Sequence, residues 1–114
     1  MPEPIDLDAL AASLTQPWKP VDVCHANEAV VRMARIEGEF PWHEHGEDEL
    51  FLCLSGRFVI ELEGEAPVTL DQHRLFVVPA GVRHRPVARE PAVALLIERP
   101  KTQQYGIEGH APGP

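Results

Sequence analysis

The chain has 114 residues, 44% of them apolar and 25% charged, the balance of one globular domain rather than of a disordered chain. Ten basic residues face eighteen acidic ones, for a net charge of −8. Phosphate neutralisation needs a basic face, so neither nucleic acid nor an anionic membrane surface is an expected partner.

Twelve prolines, about twice the usual share of ~5%, predict many turns and little helix. Residues 5–14 are the one good helix candidate. Ile5, Leu7, Leu10 and Leu14 fall roughly on one face, Asp6 and Asp8 suit a first turn, and Pro17 and Pro20 forbid continuation. Short β-like segments follow: Val21–Cys24, Ala29–Ile36, Phe40–His45, Glu49–Leu54, Arg57–Glu63, Pro67–Leu70, Leu75–Val78, Arg83–Ala88 and Ala92–Glu98, separated by Gly, Pro, Asn and Asp turns. Such spacing predicts a β-sandwich or barrel rather than βαβ units. The expected division is a helix and Pro-rich lead-in over 1–20, a barrel over 21–98, and a tail over 99–114 that is loose or docks on a neighbour. No apolar run approaches the ~20 residues that span a bilayer, and the N-terminus lacks a basic region leading into an apolar one. Cys24 and Cys53 are too few for a disulfide framework, so a cytoplasmic protein with reduced thiols is expected.

Gly38 to Gly56, GEFPWHEHGEDELFLCLSG, carries the chemistry. His43 and His45 are two apart, so on a strand both imidazoles leave the same face. Glu49 opens the apolar strand after the small turn Gly46–Asp48, and Glu47 is a rival of the same parity. In VVPAGVRH, Pro79 and Gly81 form a turn and His84 heads the next strand. Three imidazoles and one carboxylate make a mixed N/O set that suits a divalent transition metal (Fe, Mn, Ni, Cu or Zn) and does not suit Ca or Mg.

These residues resemble a small single-domain cupin. Gly38, His43, His45, Glu49 and Gly56 match the first cupin motif, with one residue fewer between Gly38 and His43. His73, Pro79, Gly81, His84 and Ala88 match the second, with His73 at the opening Gly position and Ala88 at the closing Asn position. The resemblance spans about residues 21–98. It implies an all-β double-stranded β-helix, the jelly-roll barrel, commonly a homodimer, with His43, His45, Glu49 and His84 as metal ligands.

Parity places Phe51 and Cys53 in the lumen with Glu49, and Phe40, Val78 and Val82 complete the expected pocket lining, with no obvious second acid or base. Leu50, Leu52 and Leu54 face outward and suit a second subunit or the N-terminal segment. Trp42, Arg83 and Arg85 should point away from the site. His25, His73 and His110 are expected in solvent, and Glu44, Glu47 and Asp48 form an acidic rim. A divalent ion with these ligands keeps a net positive charge and favours an oxygen-bearing or anionic small molecule. By the resemblance, expected reactions are dioxygenation, isomerisation or epimerisation. The alternative is a non-catalytic metal-bearing domain that binds or senses a small ligand.

Overall fold

The computed structural model describes residues 3–102 and 104. Helix α1 covers Leu7–Ser13, shorter than the apolar spacing suggests, because Asp6 is its N-cap and its carboxylate accepts a hydrogen bond from the Ala9 N–H at 3.1 Å. Leu7, Leu10 and Leu14 are half-buried, whereas Ile5 is exposed.

Seven strands follow: β1 Val21–Ala26, β2 Ala29–Glu39, β3 Glu49–Ser55, β4 Arg57–Leu62, β5 Val68–Asp71, β6 Leu75–Val78 and β7 His84–Glu98. All pairings are antiparallel, in the order β1-β2-β7-β3-β6, with β4 joined to β7 and β5 to β4. This is the jelly-roll β-barrel that the cupin resemblance implies, and one of the two all-β forms that the strand spacing predicts.

Two expected elements differ. Arg83–Ala88 and Ala92–Glu98 are halves of the single strand β7. On one side β7 runs along β2; on the other it meets β4 through His84–Val87 and then β3 through Val93–Ile97. Between them, Arg89, Glu90 and Pro91 are exposed, at a register shift between the Gly38–Ala88 and Ile36–Ala92 pairs where the missing Pro91 N–H costs no ladder bond. Gly56 (φ +78°) lies under this crossing. A Cβ there would stand 3.1 Å from Ala92 Cα and from the Pro91 carbonyl, so any side chain would crowd that backbone as well as strain the left-handed turn between β3 and β4.

Phe40–His45 is not a strand. Pro41 offers no donor, and the segment holds to β7 through Phe40 N–H to Pro86 O (3.1 Å) and a reciprocal pair between His43 and His84 (3.0 and 2.8 Å). His73, at the motif's Gly position, takes the left-handed backbone itself (φ 68°), and β6 still forms over Leu75–Val78.

Inward side chains of β2 to β7, among them Ile36, Phe51, Cys53, Phe58, Ile60, Leu70 and Val78, form the core. Ala88, at the motif's Asn position, is 1% exposed within it and supplies no hydrogen bond to the site. On the outer face, Leu50 stands beside Val77 and Ile97, and Leu52 beside Leu75. Leu75, Val77 and Ile97 are exposed, and Leu50, Leu52 and Leu54 are half-buried. No helix among the described residues is long and apolar enough to cross a membrane, and both cysteines are free thiols.

Candidate metal centre

His43, His45, Glu49 and His84 come together inside the barrel, one potential ligand atom from each lying within 4.8 Å of all the others. All four are at least 96% buried. Their supports come from both motif segments. Besides the His43–His84 pair, Gly81 N–H donates to His45 O at 2.8 Å, and Ala80 N–H to Asp48 Oδ1 at 2.8 Å. The Pro79–Gly81 turn is thereby tied to the loop that follows the two histidines.

Ring orientation is fixed from behind. His43 Nδ1 donates to Pro41 O and His84 Nδ1 to Val82 O, each at 2.8 Å, since a carbonyl can only accept. The Nε2 atoms of both rings are then left for other partners. His84 Nε2 lies 3.3 Å and His45 Nε2 lies 3.4 Å from Glu49 Oε1. His45 Nε2 is buried with no hydrogen-bond partner. Burial pushes the Glu49 carboxyl up, but contacts with His45, His84 and Glu98 outweigh it and hold the group well below the usual carboxylate range. Burial, reinforced by His84, depresses His43 to about 4, so its imidazole is neutral at pH 7. With its proton on Nδ1, His84 turns an Nε2 lone pair toward the Glu49 carboxylate, and a cation between them would serve both. Donor atoms that share an ion at about 2.1 Å stand roughly 3–3.5 Å apart, the spacing found around Glu49. The residues present fit a transition metal.

The rival Glu47 is turned elsewhere: its Oε1 accepts from Thr102 Oγ1 at 3.1 Å. The expected acidic rim is thus partly engaged in structure, through Glu47 and Asp48. Trp42 points outward, with the Arg85 guanidinium 5.1 Å from its ring centre, and Arg85 also pairs with Glu39 and Glu61. Arg83 pairs with Glu63. His25 and His73 are exposed; His110 lies outside the described residues.

A cavity of about 320 Å³ opens over His43 and Glu49. Of the expected lining residues, Phe40 and Phe51 are on its wall, with Trp18, Ile36 and Leu96. Cys53, Val78 and Val82 are not. Cys53 on β3 and Val78 on β6 are fully buried in the core, and Val82, in the turn before β7, packs against it. Burial pushes the Cys53 thiol pKa up, away from a nucleophile's range.

The sequence reading missed Glu98 and Arg32, which lie on the same wall. The two pair at 3.0 Å, with side-chain exposures of 5% and 18%. Burial and the adjacent Glu49 push the Glu98 carboxyl up to about 9, so a second acid stands beside the cluster. Its signal was parity: Glu98 shares the inward face of β7 with Ala92, Ala94 and Leu96. Arg32 also donates to Pro100 O (3.0 Å) and Thr102 O (3.1 Å), and Gln104 Nε2 donates to Trp18 O (2.8 Å). The start of the expected loose tail therefore docks on its own barrel, where Thr102 and Gln104 line the cavity.

Comparison with known proteins agrees with this geometry. The Bacillus subtilis protein YdbB is 28% identical over 104 residues, covering 90% of this chain and 92% of that one. A cupin-2 domain protein from Shewanella frigidimarina is 31% identical with a TM-score of 0.80, over 83% of this chain and 93% of the other. The fold is also shared with a hydroquinone 1,2-dioxygenase from Sphingomonas, solved with 4-hydroxybenzoate bound, at 22% identity and a TM-score of 0.73, over 82% of this chain and 72% of that one. Residues 29–98, which contain every strand from β2 to β7 and all four clustered side chains, match the cupin domain family, and the chain belongs to it.

Proposed function

We propose that this protein is a metal-dependent cupin that binds a small oxygen-bearing molecule in the cavity beside His43 and Glu49 and dioxygenates it. The observation that carries the reading is the buried set of four donors, with Glu49 facing two imidazole nitrogens at 3.3 and 3.4 Å, opening directly onto a cavity of about 320 Å³. His43, His45, Glu49 and His84 would hold the ion. A bound metal would supply Lewis acidity toward a ligand oxygen and, if redox active, access to dioxygen. The protein's part is to fix the rings through Pro41 O and Val82 O, to exclude water with Trp18, Phe40 and Phe51, and to keep the carboxylate ionised. The Sphingomonas fold relative is by name a dioxygenase of hydroquinone. The apolar walls here suit a similarly flat, weakly polar substrate.

Glu98 favours a second reading, isomerisation, because a carboxyl on the cavity wall can move a proton at the ligand. The exposed face of Leu75, Val77 and Ile97 supports a homodimer. The test is elemental analysis of freshly purified protein, then oxygen uptake by Fe- and Mn-loaded samples with phenols, catechols and ketones. About one metal per chain with substrate-dependent uptake is expected. Metal with product but no uptake selects isomerisation, metal without turnover selects a sensing domain, and no metal after supplementation defeats the proposal.

A further inference from the structure

The cavity wall carries a polar group that the metal site does not use. Glu98 lies at the end of β7 and is 8% exposed. Its Oε1 is held by Arg32 Nη1 at 3.0 Å. Arg32 is held in turn: Nε donates to Asp22 at 3.0 Å, and the two Nη atoms donate also to the carbonyls of Thr102 and Pro100. This guanidinium is committed to the protein, and it fixes the Glu98 carboxyl in one orientation.

Glu98 Oε2 is different. Among the described residues it is the one buried side-chain oxygen without a hydrogen-bond partner. Whether or not Glu98 shares its own proton with Glu49, a lone pair on Oε2 remains open. A buried acceptor left unmatched is costly, and a ligand donor would remove the cost. Other polar side chains around the cavity have protein partners: Thr102 Oγ1 donates to Glu47, and Gln104 Nε2 donates to Trp18 O. Apart from His43, Glu49 and Arg32 the rest of the wall is largely apolar, and it includes Phe51 and the Trp18 and Phe40 rings, whose centres lie 4.8 Å apart. A volume of about 320 Å³ is at the small end of the usual range of roughly 300–1,000 Å³ for small-molecule sites.

We infer that Glu98 is the specificity-determining residue of the cavity. Its Oε2 accepts a hydrogen bond from the hydroxyl of a compact ligand whose flat apolar body lies against Trp18, Phe40 and Phe51, so the ligand class is phenols and related hydroxylated rings. This deepens the functional proposal and rests on the cavity being a ligand site, but it does not require the metal.

The test uses phenol and its methyl ether anisole, which are alike in shape while only phenol has a donor. Each is titrated by NMR into metal-free and zinc-loaded protein, with zinc content measured separately. Wild type should bind phenol roughly tenfold more tightly than anisole in the metal-free form, the effect of one hydrogen bond to a carboxyl acceptor. Glu98→Met should bring the ratio to about one by weakening phenol alone. Glu98→Gln, of the same shape, keeps its carbonyl on Arg32 and turns an N–H to the cavity, so it too should lose the preference; it serves if the Met variant does not fold. A wild-type ratio near one, no phenol binding at its solubility limit, or an unchanged ratio in a folded variant overturns the inference. Zinc binding without phenol preference defeats this inference alone, and phenol preference without zinc binding defeats the metal reading alone.

Discussion

Metal loading should raise the melting temperature steeply, because a divalent ion gives the four clustered side chains a common partner that the metal-free protein lacks. Glu49 is ionised inside the barrel, two imidazole nitrogens face it at 3.3 and 3.4 Å, and His45 Nε2 has no hydrogen-bond partner. Each of these becomes a favourable contact when a divalent ion occupies the centre. An ion present at a hundred times its dissociation constant stabilises the folded state by about 2.7 kcal/mol. For a domain of this length, 1 kcal/mol moves the midpoint by roughly 3–5 °C, so a shift near 10 °C is expected. The assay is thermal unfolding of chelator-treated protein with Mn, Fe(II), Ni, Cu or Zn restored singly. His43→Ala with His45→Ala removes two donors and should abolish the shift, whatever it does to the midpoint of the metal-free protein. Because His43 in the folded protein is depressed to about 4, protons compete for that nitrogen far less at pH 6 than they would for a free imidazole near 6.5, and the shift should persist at pH 6. A shift below about 2 °C with all five metals, with no metal found by elemental analysis, would refute the reasoning.

In metal-free protein, Glu98 is raised from 4.5 to about 9, so between those values the folded state binds the extra proton and stability declines as pH rises. His43, lowered from 6.5 to about 4, acts in the opposite sense over that window, so below pH 6.5 the two offset each other and above it Glu98 acts alone. The denaturant midpoint should therefore fall from pH 7 to 9, by at most about tenfold in the folding constant per pH unit, and Glu98→Gln should flatten the profile; a flat wild-type profile contradicts the assignment. Sedimentation at micromolar concentration should give twice the 12.7 kDa chain mass, and Leu75→Glu with Val77→Lys should return monomer, since both lie on the exposed outer face of β6; a wild-type species of 12.7 kDa alone contradicts the dimer.

The residues legible in the sequence were those whose geometry is local. His43 and His45 need only a two-residue repeat, and they converge although their segment forms no strand, because Phe40 and His43 still bond to β7. Glu49 and His84 were legible through their motifs, and the ladder of β3 with β6 closes the distance. The strands emerged from alternation, apart from the break at Pro91, which reads as an end and proves to be a bulge where β7 changes its neighbour from β4 to β3. Parity carried Cys53 and Val78 into the interior but not onto the cavity, because alternation gives a face and not a depth.

Glu98 and the docked tail were illegible for a different reason. A carboxyl at an inward position is tolerable only with a partner, and that partner, Arg32, lies 66 positions earlier on β2. Neither residue is suspicious alone: Glu98 reads as the polar end of an apolar strand, and Arg32 as one charge in a β segment. Their meeting is set by the β2–β7 register, in which Arg32 stands opposite Leu96, two residues from Glu98 on the inward face. Half of the tail's hydrogen bonds to the barrel run through the carbonyls of Pro100 and Thr102, groups that every residue possesses and that leave no mark in a sequence; the others come from the Thr102 hydroxyl and the Gln104 amide. The same register that hides the pair from sequence reading sets it beside the four-residue cluster. The ligand-facing chemistry of this barrel thus depends on β2 and β7 as much as on the two motifs, and exchanging the motifs alone between cupins should transfer the metal centre without transferring the ligand preference.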